Sequence, residues 1–218
     1  MTGRLKTTVL ISGSGSNLQA LIDARQTNRL KIDINHVISN VAGANGLSRA
    51  ENAGISTSVL QHGEFSSRND FDRALTLLIA AGKPDLVVLA GFMRIIGPET
   101  LEPFRGRMIN LHPSLLPLYR GTDTYRRAIE AGDSRHGASI HFVTEELDGG
   151  PVISQAVIPV QADDDPDSLA ARLSPVEHRL LVATVEFFTR HRVECSEGVV
   201  LVDGVKLAVP LQIKELRN

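Results

Sequence analysis

The chain has 218 residues, enough for a domain with a substantial core. Its 42% hydrophobic and 22% charged residues are a globular balance that excludes a disordered chain. A formal net charge of −2 excludes a bulk basic field for nucleic acid, so any phosphate site has to be local. The one cysteine, Cys195, excludes an internal disulfide, points to a reducing compartment and, with no Cys/His signature around it, reads as a structural or surface thiol.

From the N-terminus, the apolar run in MTGRLKTTVLISGSGSN is too short to span a membrane and has no cleavage signature, so a soluble, cytoplasmic protein is expected. TTVLIS (Thr7–Ser12) is β-branched and apolar and predicts a buried strand. After the GSGSN turn, NLQALIDARQTNRL places Leu18, Leu21, Ile22 and Ala24 on one helical face. IDINHVISN (Ile32–Asn40) alternates as a strand does, and a helix follows over Asn45 to Ala53. SRNDFDRALTLLIAAG predicts a helix with Ser67 or Asn69 as cap and Gly82 at its end. PDLVVLAGF (Pro84–Phe92) is the clearest core strand, and RMINLH is the next. This alternation predicts a parallel sheet with helices on both faces.

The pattern changes after Pro113. SLLPLYRGTDT is a loop, and TYRRAIEAGD a short helix. GASIHFVTEELDGGPVISQAVIPV holds two strand patterns in a hairpin-like connection through ELDGG. DSLAARLSPVEHRLLVATVEFFTRH is a long helical pattern in which Pro175 is expected to break or kink the helix. GVVLVDGVKL predicts a hairpin around Asp203-Gly204. With no repeat, linker or low-complexity tract, residues 1–218 are expected to form one domain.

Four stretches carry polar chemistry. Asn110 and His112 stand at positions i and i+2 of a strand that Pro113 ends, so both polar heads point one way at the carboxyl end, where open α/β sheets gather ligands. The alternative is a pair of satisfied polar groups. GSGSN (Gly13–Asn17), between the first strand and the first helix, suits an anion approached by backbone N–H groups. It is neither a dinucleotide fingerprint nor a P-loop, and could be only a turn capped by Ser16 or Asn17. Asp148 in ELDGGPVI offers a carboxylate for proton transfer or orientation, or is only an Asp-Gly turn. GFMRIIGPE sets Phe92, Met93, Ile95 and Ile96 where a polar loop is expected, which suits an apolar pocket wall or plain core packing.

Taken together, VLISGSGSNLQALID, VVLAGFMRIIGPE, INLHPSLLP, HGASIHFVTEELDGGPVI and Glu177-His178 resemble the folate-dependent formyltransferases, in order over nearly the whole chain. NLHPSLLP with LDGGPVI is specific to that group. The GSGSN start and the length narrow the resemblance to the phosphoribosylglycinamide formyltransferases, or glycinamide ribonucleotide transformylases.

The resemblance implies a single Rossmann-like α/β domain with a mixed, mostly parallel seven-stranded sheet. Its N-terminal half would carry the nucleotide phosphate site, and its C-terminal half would complete the folate site. It implies 10-formyltetrahydrofolate as co-substrate, glycinamide ribonucleotide as acceptor and no metal, in de novo purine biosynthesis. Asn110, His112 and Asp148 fall on the catalytic triad. Gly15, Ser16 and Asn17 fall on the phosphate loop, Glu177 on the ribose contact and Pro113 beside the nucleotide's amide end. Met93, Arg94, Ile96 and Thr144 fall on the folate-binding segments. The loop LPLYRGTDTYRRA departs from some relatives at Arg120, Asp123 and Tyr125, as does Ser174-Pro175 before Glu177. The expected partners are these small molecules, without nucleic acid or membrane, for a monomer or homodimer. The rivals are formyltetrahydrofolate deformylase, another folate-dependent formyltransferase such as the methionyl-tRNA enzyme, and, outside enzymes, a nucleotide-binding regulatory module.

Overall fold

The computed structural model describes residues 4–217. They fall into two compact units, one ending at Asn110 and the other beginning at Leu111.

The first unit contains β1 (Leu5–Ile11), α1 (Ser16–Gln26), β2 (Ile32–Ser39), α2 (Asn45–Asn52), β3 (Thr57–Val59), α3 (Arg68–Ala81), β4 (Leu86–Leu89), α4 (Pro98–Leu101) and the start of β5 (Met108–His112). β1 pairs in parallel with β2 and β4, β2 with β3, and β4 with β5. Val9, Leu10 and Ile11 of β1 and all of β4 are buried, the continuous apolar run of a strand covered on both faces. Leu18, Leu21, Ile22 and Ala24 form the buried stripe of α1 as expected. Ser67 caps α3 by accepting from the Asp70 N–H, and Gly82 follows its end. Because β1 lies between β2 and β4, the chain changes direction across the sheet there, and the segments after β1 and β4 open at that switch point.

The second unit contains α5 (Thr124–Glu130), β6 (Arg135–Phe142), β7 (Val152–Pro159), α6 (Pro166–Arg190), β8 (Val193–Ser196), β9 (Val199–Val202), β10 (Val205–Lys206) and β11 (Leu211–Gln212). β6 and β7 are antiparallel, and β11 adds to β7 in parallel. β8, β9 and β10 form a separate antiparallel sheet. Its two turns, Glu197-Gly198 and Asp203-Gly204, have φ of 50° and 76°, and 51° and 83°, the positive values of a type I′ hairpin. Only the second was expected.

The main sheet, β11-β7-β6-β5-β4-β1-β2-β3, has eight strands rather than seven; β11 contributes just two residues. This is the expected α/β class, with a mostly parallel sheet flanked by helices. The break allowed for at Pro175 does not occur: α6 runs as one helix through it for 25 residues. Proline inside a helix costs about 3 kcal/mol. Leu169, Leu173, Leu180, Leu181 and Val185 are all buried on this helix, and each buried side chain returns about 1.5–3 kcal/mol. An Asp165–Ser168 capping box, with Pro166 in the first turn, fixes its start. No helix among the described residues is long and apolar enough to cross a membrane.

Candidate active site

In the second unit, His112 ends β5 with 5% of its surface exposed. Its Nε2 lies 2.9 Å from the Tyr119 carbonyl oxygen. A carbonyl only accepts, so Nε2 carries the hydrogen and Nδ1 is the nitrogen left for chemistry. Nδ1 faces Asp148, 3.4 Å from Oδ2. Asp148 sits in the β6–β7 connection at φ 48°, a left-handed backbone that Asp and Asn tolerate better than most residues. The Gly121 N–H donates to Oδ2 at 2.9 Å. On the other side, His141 Nε2 lies 3.5 Å from Asp148 Oδ1, and His141 Nδ1 is 2.9 Å from the Phe142 carbonyl. The carboxylate therefore stands between two imidazoles, each with its outer N–H committed to a carbonyl. Each inner contact strengthens when a proton lies between nitrogen and oxygen.

Burial holds the His112 pKa below 6.5, although the Tyr119 carbonyl and the Asp148 charge pull it up. For Asp148, burial pushes up, but the His141 hydrogen bond, the Gly121 N–H and the pull of both imidazoles outweigh it. The net direction is below 3.8. At neutral pH the pair is an ionised carboxylate beside an imidazole whose Nδ1 is bare, a ready proton acceptor.

Glu177, on α6, is buried, and the Tyr125 hydroxyl donates to its Oε1 at 3.3 Å. Burial, then the neighbouring Glu177 charge, raises the Tyr125 pKa above 10, so the phenol stays a donor. Pro113 is half-buried just past β5. Thr144 is half-buried, and its hydroxyl donates to the Glu146 carbonyl at 3.3 Å.

In the first unit, Asn110 is half-buried on β5 in register with Leu89 of β4, two residues before His112. Gly15, at φ 70°, is the cap residue of α1, and no side chain caps the helix. Ser16 and Asn17 lie inside the first turn, so the alternative of a turn capped by either does not hold, and the helix start carries no side-chain cap. A Cβ on Gly15 would stand 2.5 Å from the Gly46 Cα, so both its φ and this approach require glycine. Asn17 Oδ1 is buried with no hydrogen-bond partner. Arg49 Nε donates to the Ser14 carbonyl at 2.9 Å, bracing the loop.

Past β4, the apolar segment divides. Phe92 and Ile96 are buried, whereas Met93 is 75% exposed and Ile95 56%. The Met93 N–H donates to Ser12 Oγ at 2.8 Å. The Arg94 guanidinium lies 4.5 Å over the Phe71 ring.

Sequence reasoning missed His141 and the two backbone groups of the 119–121 loop. His141 was legible in part: it sits on the strand that leads into the Asp148 loop. The Tyr119 carbonyl and Gly121 N–H had no signal, since main-chain groups are common to every residue.

A carboxylate set between two imidazoles is equipment for moving protons, the chemistry of general acid–base catalysis. The model described as "Formyl transferase" matches residues 5–185, and the chain belongs to that family. It is 50% identical over 199 residues to the phosphoribosylglycinamide formyltransferase of Escherichia coli K12, covering 91% of this chain and 94% of that protein. A solved phosphoribosylglycinamide formyltransferase from Coxiella burnetii, in complex with CHES, superposes with a TM-score of 0.90 at 45% identity, covering 94% of this chain and 96% of that one. A solved formyltetrahydrofolate deformylase from Pseudomonas syringae pv. tomato superposes with a TM-score of 0.85 at 27% identity, covering 92% of this chain and 66% of that one.

Proposed function

We propose that this chain transfers the formyl group of 10-formyltetrahydrofolate to the amine of glycinamide ribonucleotide, giving formylglycinamide ribonucleotide and tetrahydrofolate in de novo purine synthesis. The observation that carries it is the buried Asp148 carboxylate beside a bare His112 Nδ1, in a chain of the formyl transferase family. The amine nitrogen attacks the formyl carbon, and the carbonyl electron pair moves onto oxygen. The Asn110 amide donates to that oxyanion. Asp148 takes the proton that the attacking nitrogen sheds, directly or through a water, and His112 Nδ1 is the next acceptor. The resulting imidazolium stabilises the oxyanion. The proton then goes to the folate nitrogen as its bond to carbon breaks, so the protons balance and no side-chain nucleophile is needed.

Gly15, Ser16 and Asn17 are assigned to the nucleotide phosphate, Glu177 to the ribose hydroxyls and Pro113 to the neighbourhood of the amide. Met93, Arg94, Ile96 and Thr144 are assigned to the folate. The uncapped start of α1 and the exposed Met93 support these assignments. Residues 1–218 act as one formyltransferase domain on small molecules in the cytoplasm, as a monomer or homodimer, with no step that calls for a metal or a nucleic acid.

The test is formyl transfer with and without glycinamide ribonucleotide. Tetrahydrofolate formation that depends on the acceptor is expected. Formate release that ignores the acceptor would replace this reading with deformylase chemistry.

A further inference from the structure

The Tyr119 carbonyl and the Gly121 N–H hold the two reacting side chains from one short loop, and that loop is held in turn. Tyr119 has φ 52°, a left-handed backbone that is unfavourable for a tyrosine. Its hydroxyl donates to Asp133 Oδ2 at 2.6 Å, joining the loop before α5 to the turn that follows the helix. The Arg127 guanidinium lies 5.3 Å over the Tyr119 ring, and its Nη1 donates to the Arg120 carbonyl at 2.7 Å. The Ser114 hydroxyl donates to the Leu118 carbonyl at 2.6 Å. Together these contacts settle where the carbonyl of a residue in a left-handed backbone points.

We infer that the Tyr119–Asp133 hydrogen bond is a latch that positions His112: it holds the Tyr119 carbonyl against Nε2–H and so keeps Nδ1 turned to Asp148. Tyr119 and Asp133 are positioning residues that act through His112. The catalytic part of the claim rests on the formyl-transfer reading above, whereas the geometric part does not.

The test uses the full chain with ¹⁵N-labelled histidine, and His112→Asn identifies the His112 signal. In the wild type, the Nε2–H of His112 is seen as a hydrogen-bonded proton in slow exchange with water. Tyr119→Phe keeps the ring under Arg127 and deletes only the hydroxyl. It is expected to lose that protected signal and to lower kcat about tenfold, the scale of one hydrogen bond to a charged group, with KM for both substrates within about twofold. Asp133→Ala should match it. Asp133→Asn, which still offers an acceptor oxygen, should restore both the signal and kcat. The Tyr119→Phe/Asp133→Ala double variant should be no worse than either single one, because both break the same bond.

A Tyr119→Phe protein with an unchanged signal and kcat within about twofold of wild type would overturn the latch. So would an Asp133→Asn protein as impaired as Asp133→Ala. If Tyr119→Phe fails to fold, the Asp133 pair decides. If the signal follows the latch while no variant, nor the wild type, transfers formyl, the latch stands and the functional reading falls.

Discussion

Replacing Asp148 with Asn separates charge from shape at the centre of the cluster. Asn is the residue that best tolerates the left-handed φ of 48°, so the backbone is kept. Its amide oxygen can still accept from the Gly121 N–H, now 2.9 Å from Oδ2. What disappears is the ability to take a proton and the negative charge that pulls on His112 Nδ1 at 3.4 Å. A positioned acid or base contributes about 10²–10⁴ in rate, which is about 3–5 kcal/mol of barrier. Burial already holds the His112 pKa down, and losing the carboxylate lowers it further, so the imidazole cannot take over as a stronger base. The expected result is kcat reduced by about 10²–10⁴ with both substrates still binding. Tetrahydrofolate formation is followed at saturating substrates, and binding is titrated separately. A folded Asp148→Asn protein whose kcat stays within about threefold of wild type would refute the proton role and leave Asp148 as a turn residue.

Asn110→Ala should lower kcat by about 10²–10³ through loss of an oxyanion donor, and the double variant with Asp148→Asn should lose less than the product of the two losses; steady-state rates of all three proteins check this. Because Met93 is 75% exposed, Met93→Asp should leave the melting temperature nearly unchanged while weakening folate, read by parallel calorimetry and titration. Asn17→Ala should weaken nucleotide binding and spare folate. Gly15→Ala should instead destabilise the protein by at least about 1–2 kcal/mol in urea unfolding, since it meets Gly46 at a left-handed φ. His136 is 1% exposed and its Nε2 has no hydrogen-bond partner, and burial lowers its pKa below 6.5 despite a backbone hydrogen bond to Pro113 and the Asp133 charge. The unfolded chain therefore takes up this proton first: stability is complete above the unfolded value and lost as pH falls through and below it, by up to about 1.4 kcal/mol per pH unit per such group. Urea midpoints across that range should fall on acidification, and His136→Gln should flatten the slope.

The elements that sequence revealed are those whose cause is local. The run of buried residues in β1 and β4, the stripe on α1, the Ser67 cap and the Asp203-Gly204 turn all follow from neighbouring side chains and φ preferences. The failures have non-local causes. Pro175 is overruled because leucines on both sides of it are buried by other elements. Gly15 displaces Ser16 and Asn17 as the cap because Gly46, far along the chain, leaves room for nothing larger. Asn110, His112 and Asp148 could be singled out by residue type and spacing, but a motif carries no information about which imidazole nitrogen is free.

That information comes from the carbonyls. His112 and His141 belong to different strands, and each spends its outer nitrogen on a backbone oxygen, Tyr119 in one case and Phe142 in the other. The register of β6 against β7 shifts between Ile140 and His141, and such a shift re-aims the side chain that follows it. Asp148 then meets His141 Nε2 and His112 Nδ1 from a single left-handed residue, with the Gly121 N–H donating to its Oδ2. Against the push of burial, the His141 hydrogen bond and the Gly121 N–H keep the carboxylate charged. An isolated Asp–His pair would hold the carboxylate from one side; this cluster holds it from both, which fixes the acceptor that the proposed transfer needs when it removes a proton from one nitrogen and delivers it to another.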